Sequence, residues 1–352
     1  GQTLREYLSD KAPALNIGWF FDEEYIKVVS DAYLDQTIQD STNLNLYTKE
    51  ASLNGLAFTL SSDGTYYEVS GISADDTTAE LVIPAQYEGK PVKAIKNGDW
   101  NNTAFNINAN ITSIILPSSL ETIGSYGFAR TPNLTNINIP NSIEKISDCV
   151  FYRCPKLTEV VIPNSVTSMI ETVMFGGDAS LTKVAVEDGN PNYDSRDNCN
   201  AVIETKTNKL IYGSSITKIP NSVRVLGKNC FYEVSFDNML IPSSVTEIGY
   251  SAFTASSMTK IFIPKSVTTI NAGSVTNSPF RACSPSLVIY CEAESAPSGW
   301  GQYWNYYADG KPLTVKYGQT MASTYNMLDK SKFSTSTTSH GVKFTNNGDG
   351  TI

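Results

Sequence analysis

The chain has 352 residues and carries 26 Lys and Arg against 35 Asp and Glu, a net charge of −9. This acidic balance argues against nucleic acid or an anionic membrane surface as a partner, because both are bound through basic surfaces. Histidine occurs once, at His340, which excludes metal sites built from several histidines and leaves a Ser-His-Asp or Cys-His centre only if His340 is the base. No apolar run of about 18 residues occurs, so we expect no membrane insertion by this sequence.

Residues 1–50 form a predicted N-terminal helical segment. Apolar residues at helical spacing, such as Leu4, Tyr7 and Leu8, indicate two or three short helices. From residue 51 to residue 95 the pattern changes to an alternation of apolar and polar residues, which predicts β-strands.

A repeat of 22–23 residues organises the middle of the chain. Each copy alternates like a half-buried strand and ends in Pro, which cannot donate to a β-ladder and therefore ends the strand. Five of six copies carry an aromatic residue or Met eleven residues after this Pro. One copy buries too few apolar side chains to be stable alone, so the copies must stack. The prolines are Pro117, Pro140, Pro163, Pro220, Pro242 and Pro264.

The gap of 57 residues between Pro163 and Pro220 contains an insertion at residues 190–213. Two apolar stretches, 201–203 and 209–212, flank a short turn and predict a β-hairpin. Loops on a rigid scaffold often carry function, so this insertion competes with the repeats as a binding site.

Two features resemble a metal site or a redox site. An ordinary polar turn explains the first one better, and packing in the core explains the second. The segment 188–194 has oxygen donors at alternate positions, but Tyr193 and Cys199 stand where a calcium loop needs Gly and Glu. The six cysteines fit small core positions, and this interpretation is preferred over a disulfide or zinc pair. Their even count permits disulfides, which a chain of this size does not need, and the spacing from Cys149 to Cys154 is loose for zinc, with no His nearby. We therefore predict no metal and no cofactor. The cysteines are Cys149, Cys154, Cys199, Cys230, Cys283 and Cys291.

The end of the array differs from the repeats. Residues 287–317 contain Trp300, Trp304 and several tyrosines, which predicts an aromatic C-terminal cap. The solenoid with its caps is expected to span residues 51–318. Residues 319–352 are rich in Ser and Thr, typical of a linker, and then look like the opening strand and turn of a further β-domain.

The repeated pattern I-x-I-P-x-S-V-x-x-I-x-x-x-x-F-x-x-C resembles the BspA-like, treponemal-type leucine-rich repeats of bacterial surface proteins. The resemblance runs from about Leu81 to Gly318, and Pro replaces the Asn of the common leucine-rich form. The insertion, with Y-D-S-R-D-N-C-N, is similar to a hairpin of gut-bacterial members. The resemblance implies a leucine-rich repeat array with a parallel β-sheet, a solenoid of α/β-type or mainly β class. It also implies that residues 51–95 are capping strands and that the protein is secreted or on the cell surface.

Strand residues that point away from the core form the candidate binding face, because a solenoid sheet offers extended area rather than a pocket. An ordinary sheet surface remains the alternative interpretation, since single exposed apolar residues are common. An aromatic residue beside a long cation, as at Phe262 and Lys260, is typical of an interface anchor. The candidate binding residues are Asn136, Asn138, Glu159, Lys183, Lys260 and Phe262, and the same row contains Ser113, Ile115, Val161, Ala185, Asn238 and Leu240.

Three functions are consistent with these observations. The first is non-enzymatic recognition or adhesion, in which the repeat sheet binds host or neighbouring-cell proteins. The second is a glycan-binding accessory protein that uses an aromatic stacking platform instead of a cap. The third is a segment of a phage or surface fibre used in host recognition. Exposure of Trp300 and Trp304 distinguishes the first two, and the platform would comprise Trp300, Tyr303, Trp304, Tyr306 and Tyr307.

Overall fold

The structure is a computed structural model and describes residues 2–9, 11, 13, 15–37, 45–53, 55–73, 76–105, 108–170, 172–178, 180–236 and 238–320. The predicted linker and β-domain at 319–352, and with them His340, lie outside these residues except for positions 319 and 320. The chain divides into two compact units. Unit 1 comprises Gly1–Lys206 and Ile211–Lys218, and unit 2 comprises Thr207–Leu210 and Ile219–Ile352.

The described residues contain little helix and many short strands. The helices are α1 (Leu4–Leu8) and α2 (Asp31–Leu34), with 3₁₀ turns at Arg196–Asn198 and Val275–Asn277. The strands of unit 1 and of the insertion are β1 (Leu56–Leu60), β2 (Tyr67–Ile72), β3 (Glu80–Val82), β4 (Gln86–Tyr87), β5 (Lys90–Ile95), β6 (Ser113–Ile115), β7 (Thr122–Ile123), β8 (Asn136–Asn138), β9 (Lys145–Ile146), β10 (Glu159–Ile162), β11 (Ser168–Met169), β12 (Lys183–Val186), β13 (Tyr193–Asp194), β14 (Ala201–Glu204) and β15 (Lys209–Gly213). The strands of unit 2 are β16 (Val225–Leu226), β17 (Asn238–Leu240), β18 (Glu247–Ile248), β19 (Lys260–Ile263), β20 (Thr269–Ile270), β21 (Val288–Cys291), β22 (Gly299–Trp300) and β23 (Thr314–Lys316).

Each repeat of unit 1 forms one turn that contributes a strand to each of two parallel sheets. The first strand of a turn ends before the proline, and β3, β6 and β8 are paired in parallel in this way, as are β10 and β12. The second strand follows the proline turn, and β5, β7, β9 and β11 are parallel neighbours. Alternation puts Ile114, Ile137 and Val160 into the core between the sheets. This arrangement confirms the predicted solenoid with a parallel sheet. The part of each turn that follows the proline forms a short second strand.

A column of aromatic rings fills the third side of each turn. In unit 1 the rings of Phe105, Phe128, Phe151 and Phe175 stack at centroid separations of 5.4, 5.9 and 6.3 Å. Met174, which has the expected spacing from Pro163, is buried beside the column, but Phe175 supplies the ring. Offset stacking of this kind adds stability beyond the area buried.

Unit 2 repeats the same turn and ends in an aromatic lid. The second strands β16, β18, β20 and β22 are parallel, as are the first strands β17, β19, β21 and β23. Phe231, Phe253 and Phe280 stack at 5.6 and 5.5 Å, and the Trp304 ring meets Phe280 edge-on.

Both tryptophans of the lid are buried. Trp300 is 7% exposed and Trp304 is 6% exposed. The Trp300 indole N–H donates to the Val267 carbonyl at 3.0 Å, so its polar edge is satisfied inside the protein. These two rings cover the end of the unit 2 core, as an aromatic cap does. The hypothesis of a glycan-stacking platform that includes these two tryptophans is therefore wrong.

The N-terminal segment, residues 1–50, is part of unit 1 and is joined to its repeats by a row of backbone hydrogen bonds. The residue after the proline in three successive turns donates its N–H to this segment at 2.8 Å: Ala85 to the Asn16 carbonyl, Ser118 to that of Ile17 and Asn141 to that of Ile26. The Asn141 side chain also accepts from the Val28 N–H at 2.8 Å. Within the described residues, helix in this segment is confined to α1 and α2, so the predicted helical segment is only partly helical and its docked part is extended.

The same segment covers the outward side of the first strands. Ile17 and Phe20 are fully buried and pack with Val82 and Ile115. Ile115 was expected to be exposed and is 8% exposed, because the N-terminal segment lies over it. The open part of the strand face therefore begins at β8.

The insertion forms three strands. β13 and β14 are antiparallel, with Asp194 opposite Ile203, and β14 and β15 are neighbours in the sheet. Within the described ranges, no helix is both long enough and apolar enough to cross a membrane.

Candidate functional site

The outward side of β8, β10 and β12 forms the floor of a shallow trough, which we call the strand trough. Val161 lies opposite Ala185 and Glu159 opposite Lys183 in the β10–β12 register. The Glu159 and Lys183 side chains form a salt bridge on the surface. Val161 and Ala185 are half-buried and form an apolar centre beside this ion pair.

One wall of the strand trough is the N-terminal segment. The Asn138 side-chain amide donates to the Glu24 carbonyl, which fixes this wall to β8. A cleft of about 230 Å³ opens beside it, and Glu24, Ile26, Val161 and Glu187 are among its lining residues. The end of the strand trough beside the N-terminal segment therefore presents polar and apolar groups together.

The other wall is the insertion. It closes the free edge of β12 with side chains instead of another strand: the Val184 N–H donates to Asn200 Oδ1 at 3.3 Å and the Val186 N–H to Ser195 Oγ at 2.9 Å. Closing an edge with side chains prevents pairing with other chains while leaving the strand face open. A cleft of about 630 Å³ is lined by β12, by the two residues that precede the insertion and by the first part of the insertion, up to Asn200.

The carboxylate of Asp194 is hydrogen-bonded within the insertion. Burial alone would raise its pKa, but hydrogen bonds from Arg196 and Thr205 outweigh this and hold the pKa below its usual value. Arg196 Nε donates to Oδ1 at 2.7 Å, and the Thr205 hydroxyl donates to Oδ2 at 2.8 Å. In the part of the chain that the structure describes, no group of three or more His, Cys, Asp or Glu side chains could hold a metal ion.

The structure brings four of the six predicted binding residues together in the strand trough. Asn136 and Lys183 are exposed, and Asn138 and Glu159 are half-buried. The wall residues were not anticipated, because Glu24 and Asn200 reach the trough only through tertiary contacts.

Phe262 is a wrong prediction. It lies on the outward row of unit 2, but it is only 1% exposed. In register it is flanked by Leu240 on β17 and Tyr290 on β21, and the Lys316 ammonium lies 5.5 Å from the Tyr290 ring centroid. Apolar neighbours on both sides give the ring a hydrophobic setting. Lys260, also on β19, is half-buried and belongs to unit 2, whereas the strands of the trough floor belong to unit 1.

All six cysteines are free and buried. Burial raises the pKa of the Cys199 and Cys283 thiols to about 11 and that of Cys291 to about 12. A buried thiol with a raised pKa is a poor nucleophile at neutral pH. The predicted role of the cysteines as core residues agrees with this environment.

The BspA type leucine rich repeat region matches residues 99–200 and 205–285, more than half of the chain, in 6 copies. No curated protein matches the sequence.

Among solved structures, a leucine-rich repeat protein from Eubacterium ventriosum is 19% identical, covering 76% of this chain and 77% of its own, with a TM-score of 0.49. The pneumococcal vaccine antigen PcpA is 18% identical, covering 76% of this chain and 87% of its own, with a TM-score of 0.45. A leucine rich cell surface protein from Faecalibacterium prausnitzii is 15% identical, covering 77% and 95% respectively, with a TM-score of 0.36. The repeat match covers the turns that carry the Pro-ended strands and the ring column, and on that match the chain belongs to the BspA-type leucine-rich repeat family.

Proposed function

We propose that this chain is a non-enzymatic recognition protein, secreted or on the cell surface, that binds a protein partner through the strand trough. The observation that carries the proposal is the register of Val161 and Ala185, half-buried between two walls that come from different parts of the sequence. Its solenoid family supports a binding role, because stacked repeats offer extended surface for recognition. A leucine rich cell surface protein among the similar structures supports the location.

The composition of the strand trough favours a protein over a sugar as ligand. Its floor has an apolar centre with a polar rim of Asn136, Glu159 and Lys183, the arrangement common in protein–protein interfaces. The tryptophans expected to stack on a glycan are buried in the cap. A glycan ligand is therefore the competing outcome of the test.

The test is binding of the full chain to a panel of purified extracellular matrix proteins, with a glycan array in parallel. Replacing both Val161 and Ala185 by Gln fills the floor with polar side chains and should weaken protein binding about ten-fold or more. Both side chains point away from the core, so the melting temperature should hardly change.

The matched control is Val225→Gln, a half-buried residue on a second strand in unit 2. It should leave binding within about two-fold of the unchanged protein. Equal binding by V161Q/A185Q and wild type would contradict the proposal for the trough. Ligands found only on the glycan array would assign the protein to the competing class.

A further inference from the structure

Trp100 is the centre of a second surface on unit 1 that the strand trough does not use. Its side chain is 42% exposed. The Cζ atoms of Arg130 and Arg153 lie 5.2 and 5.0 Å from its ring centroid, and the Tyr152 ring lies 5.6 Å away. Arg130 Nη1 also donates to the Trp100 carbonyl at 2.8 Å. We call these four residues the Trp100 cluster.

The fold does not require arginine at either position. Arg130 and Arg153 are equivalent residues of successive turns, and both adopt a left-handed backbone with φ of 59° and 58°. The equivalent residue of the next turn is Gly177, and the turns of unit 2 use Glu233, Ala255 and Ala282, so side chains of any size and either charge occur at this position. Glycine adopts this conformation at least cost, so the backbone gives no reason for a long cationic side chain. The two arginines therefore contribute through the surface that they form.

This surface concentrates positive charge on an acidic protein. Both guanidinium groups lie about 5 Å from one ring, in a chain of net charge −9. Within the described residues, Arg130 makes its hydrogen bond to a carbonyl and has no carboxylate in salt-bridge contact. The neighbouring Asp99 uses Oδ1 to accept from the N–H groups of Asn101 and Asn102 at 2.8 and 3.1 Å. A guanidinium has five N–H donors, so Arg130 keeps donors for an external acceptor.

We propose that the Trp100 cluster binds an acidic stretch of a partner polypeptide, whose Asp or Glu carboxylates pair with Arg130 and Arg153. Arginine accommodates carboxylates with two parallel hydrogen bonds, and Trp, Tyr and Arg dominate the energetic centres of protein interfaces. Because the guanidinium groups lie over the Trp100 ring, the indole supports the cations instead of offering a bare face to a sugar. This contact extends the proposed protein-binding role to a second surface and does not depend on the strand trough.

The experiment titrates the full chain into a fluorescein-labelled octaglutamate peptide at low ionic strength and follows fluorescence anisotropy. Arg130 and Arg153 together replaced by Gln should raise the Kd about ten-fold or more, because both carboxylate partners are lost. Arg224→Gln with Arg281→Gln removes the same charge from unit 2 and should change the Kd by less than about two-fold. The neutral V161Q/A185Q variant should leave octaglutamate binding unchanged, which separates this proposal from the trough.

Three outcomes would overturn the proposal. The first is an unchanged protein that does not bind octaglutamate, and the second is equal weakening by the two double-arginine variants, which would indicate attraction to charge alone. The third is preferential binding of a hyaluronan octasaccharide, which would make the ligand an acidic glycan. Should R130Q/R153Q fail to fold, R153Q changes only the exposed Arg153 and should still weaken binding measurably.

Discussion

Units 1 and 2 are built from the same turn but bury different side chains at equivalent positions. On the outward row, unit 1 leaves Val161 and Ala185 half-buried, whereas unit 2 buries Phe262 completely. Three residues after the stacked ring, one turn of unit 1 buries the carboxyl of Asp178. The equivalent buried residues carry no charge: Thr131 and Cys154 in unit 1, and Val234, Ser256 and Cys283 in unit 2. The repeat thus determines the direction of a side chain, and the neighbouring turns determine its exposure.

The largest expected effect concerns the outward row. Phe262→Ala should lower the free energy of unfolding by about 3–5 kcal/mol, because a fully buried ring leaves a cavity. Val161→Ala removes two methyl groups from a half-buried site and should lower it by about 1 kcal/mol or less. Denaturant unfolding measures both values. Similar losses in the two variants would remove the contrast between the two outward rows.

The second prediction concerns Asp178 and the pH. Burial raises the pKa of Asp178 well above its usual value, although Oδ1 accepts from the Cys154 N–H at 2.6 Å. Oδ2 has no hydrogen-bond partner in the described structure. As the pH rises above about 4, Asp178 ionises in the unfolded chain but stays protonated in the folded chain, so stability falls by up to about 1.4 kcal/mol per pH unit. This fall ends once the pH passes the folded pKa.

Asp178→Asn cannot ionise and should lose this part of the pH dependence. The variant should be more stable than the unchanged protein at pH 7 and show a smaller difference at pH 4. Free energies of unfolding measured for both proteins from pH 4 to pH 7 test this expectation. Ser256→Ala, at the equivalent position of unit 2, is the control and should leave the pH profile unchanged. A profile that is identical for D178N and the unchanged protein would mean that Asp178 is ionised in the folded state.

The smallest expected effect is shared by both units. Because all six cysteines are free and buried, a reducing agent should shift the melting temperature by less than about 2 °C. Differential scanning calorimetry with and without reductant measures this shift. A drop of roughly 10 °C would instead reveal a stabilising disulfide.

The sequence predicts the repeated turn well because its signals are local. Ile137 and Ile139 alternate into the core, Pro140 ends the strand and Phe151 joins the ring column, each as the pattern indicates. Short-range chemistry such as strand alternation and proline geometry suffices for these positions.

Exposure and the walls of the candidate site depend on contacts between distant residues. Phe262 follows the outward alternation and is nevertheless buried, since its environment comes from Leu240 and Tyr290 in other turns. The hydrogen bond from the Val28 N–H to the Asn141 side chain joins residues 113 positions apart, and no periodic pattern in the sequence predicts it.

The N-terminal segment has a consequence for how unit 1 opens. In most solenoids a turn is held only by the turn above and the turn below, so the terminal turns fray one by one. Here the backbone N–H groups of Ala85, Ser118 and Asn141, in three successive turns, all donate to the N-terminal segment. Their acceptors lie between Asn16 and Ile26 of that segment. None of these turns can detach without breaking a hydrogen bond to the N-terminal segment, so we expect the amide hydrogens of the first three turns to exchange as one cooperative block.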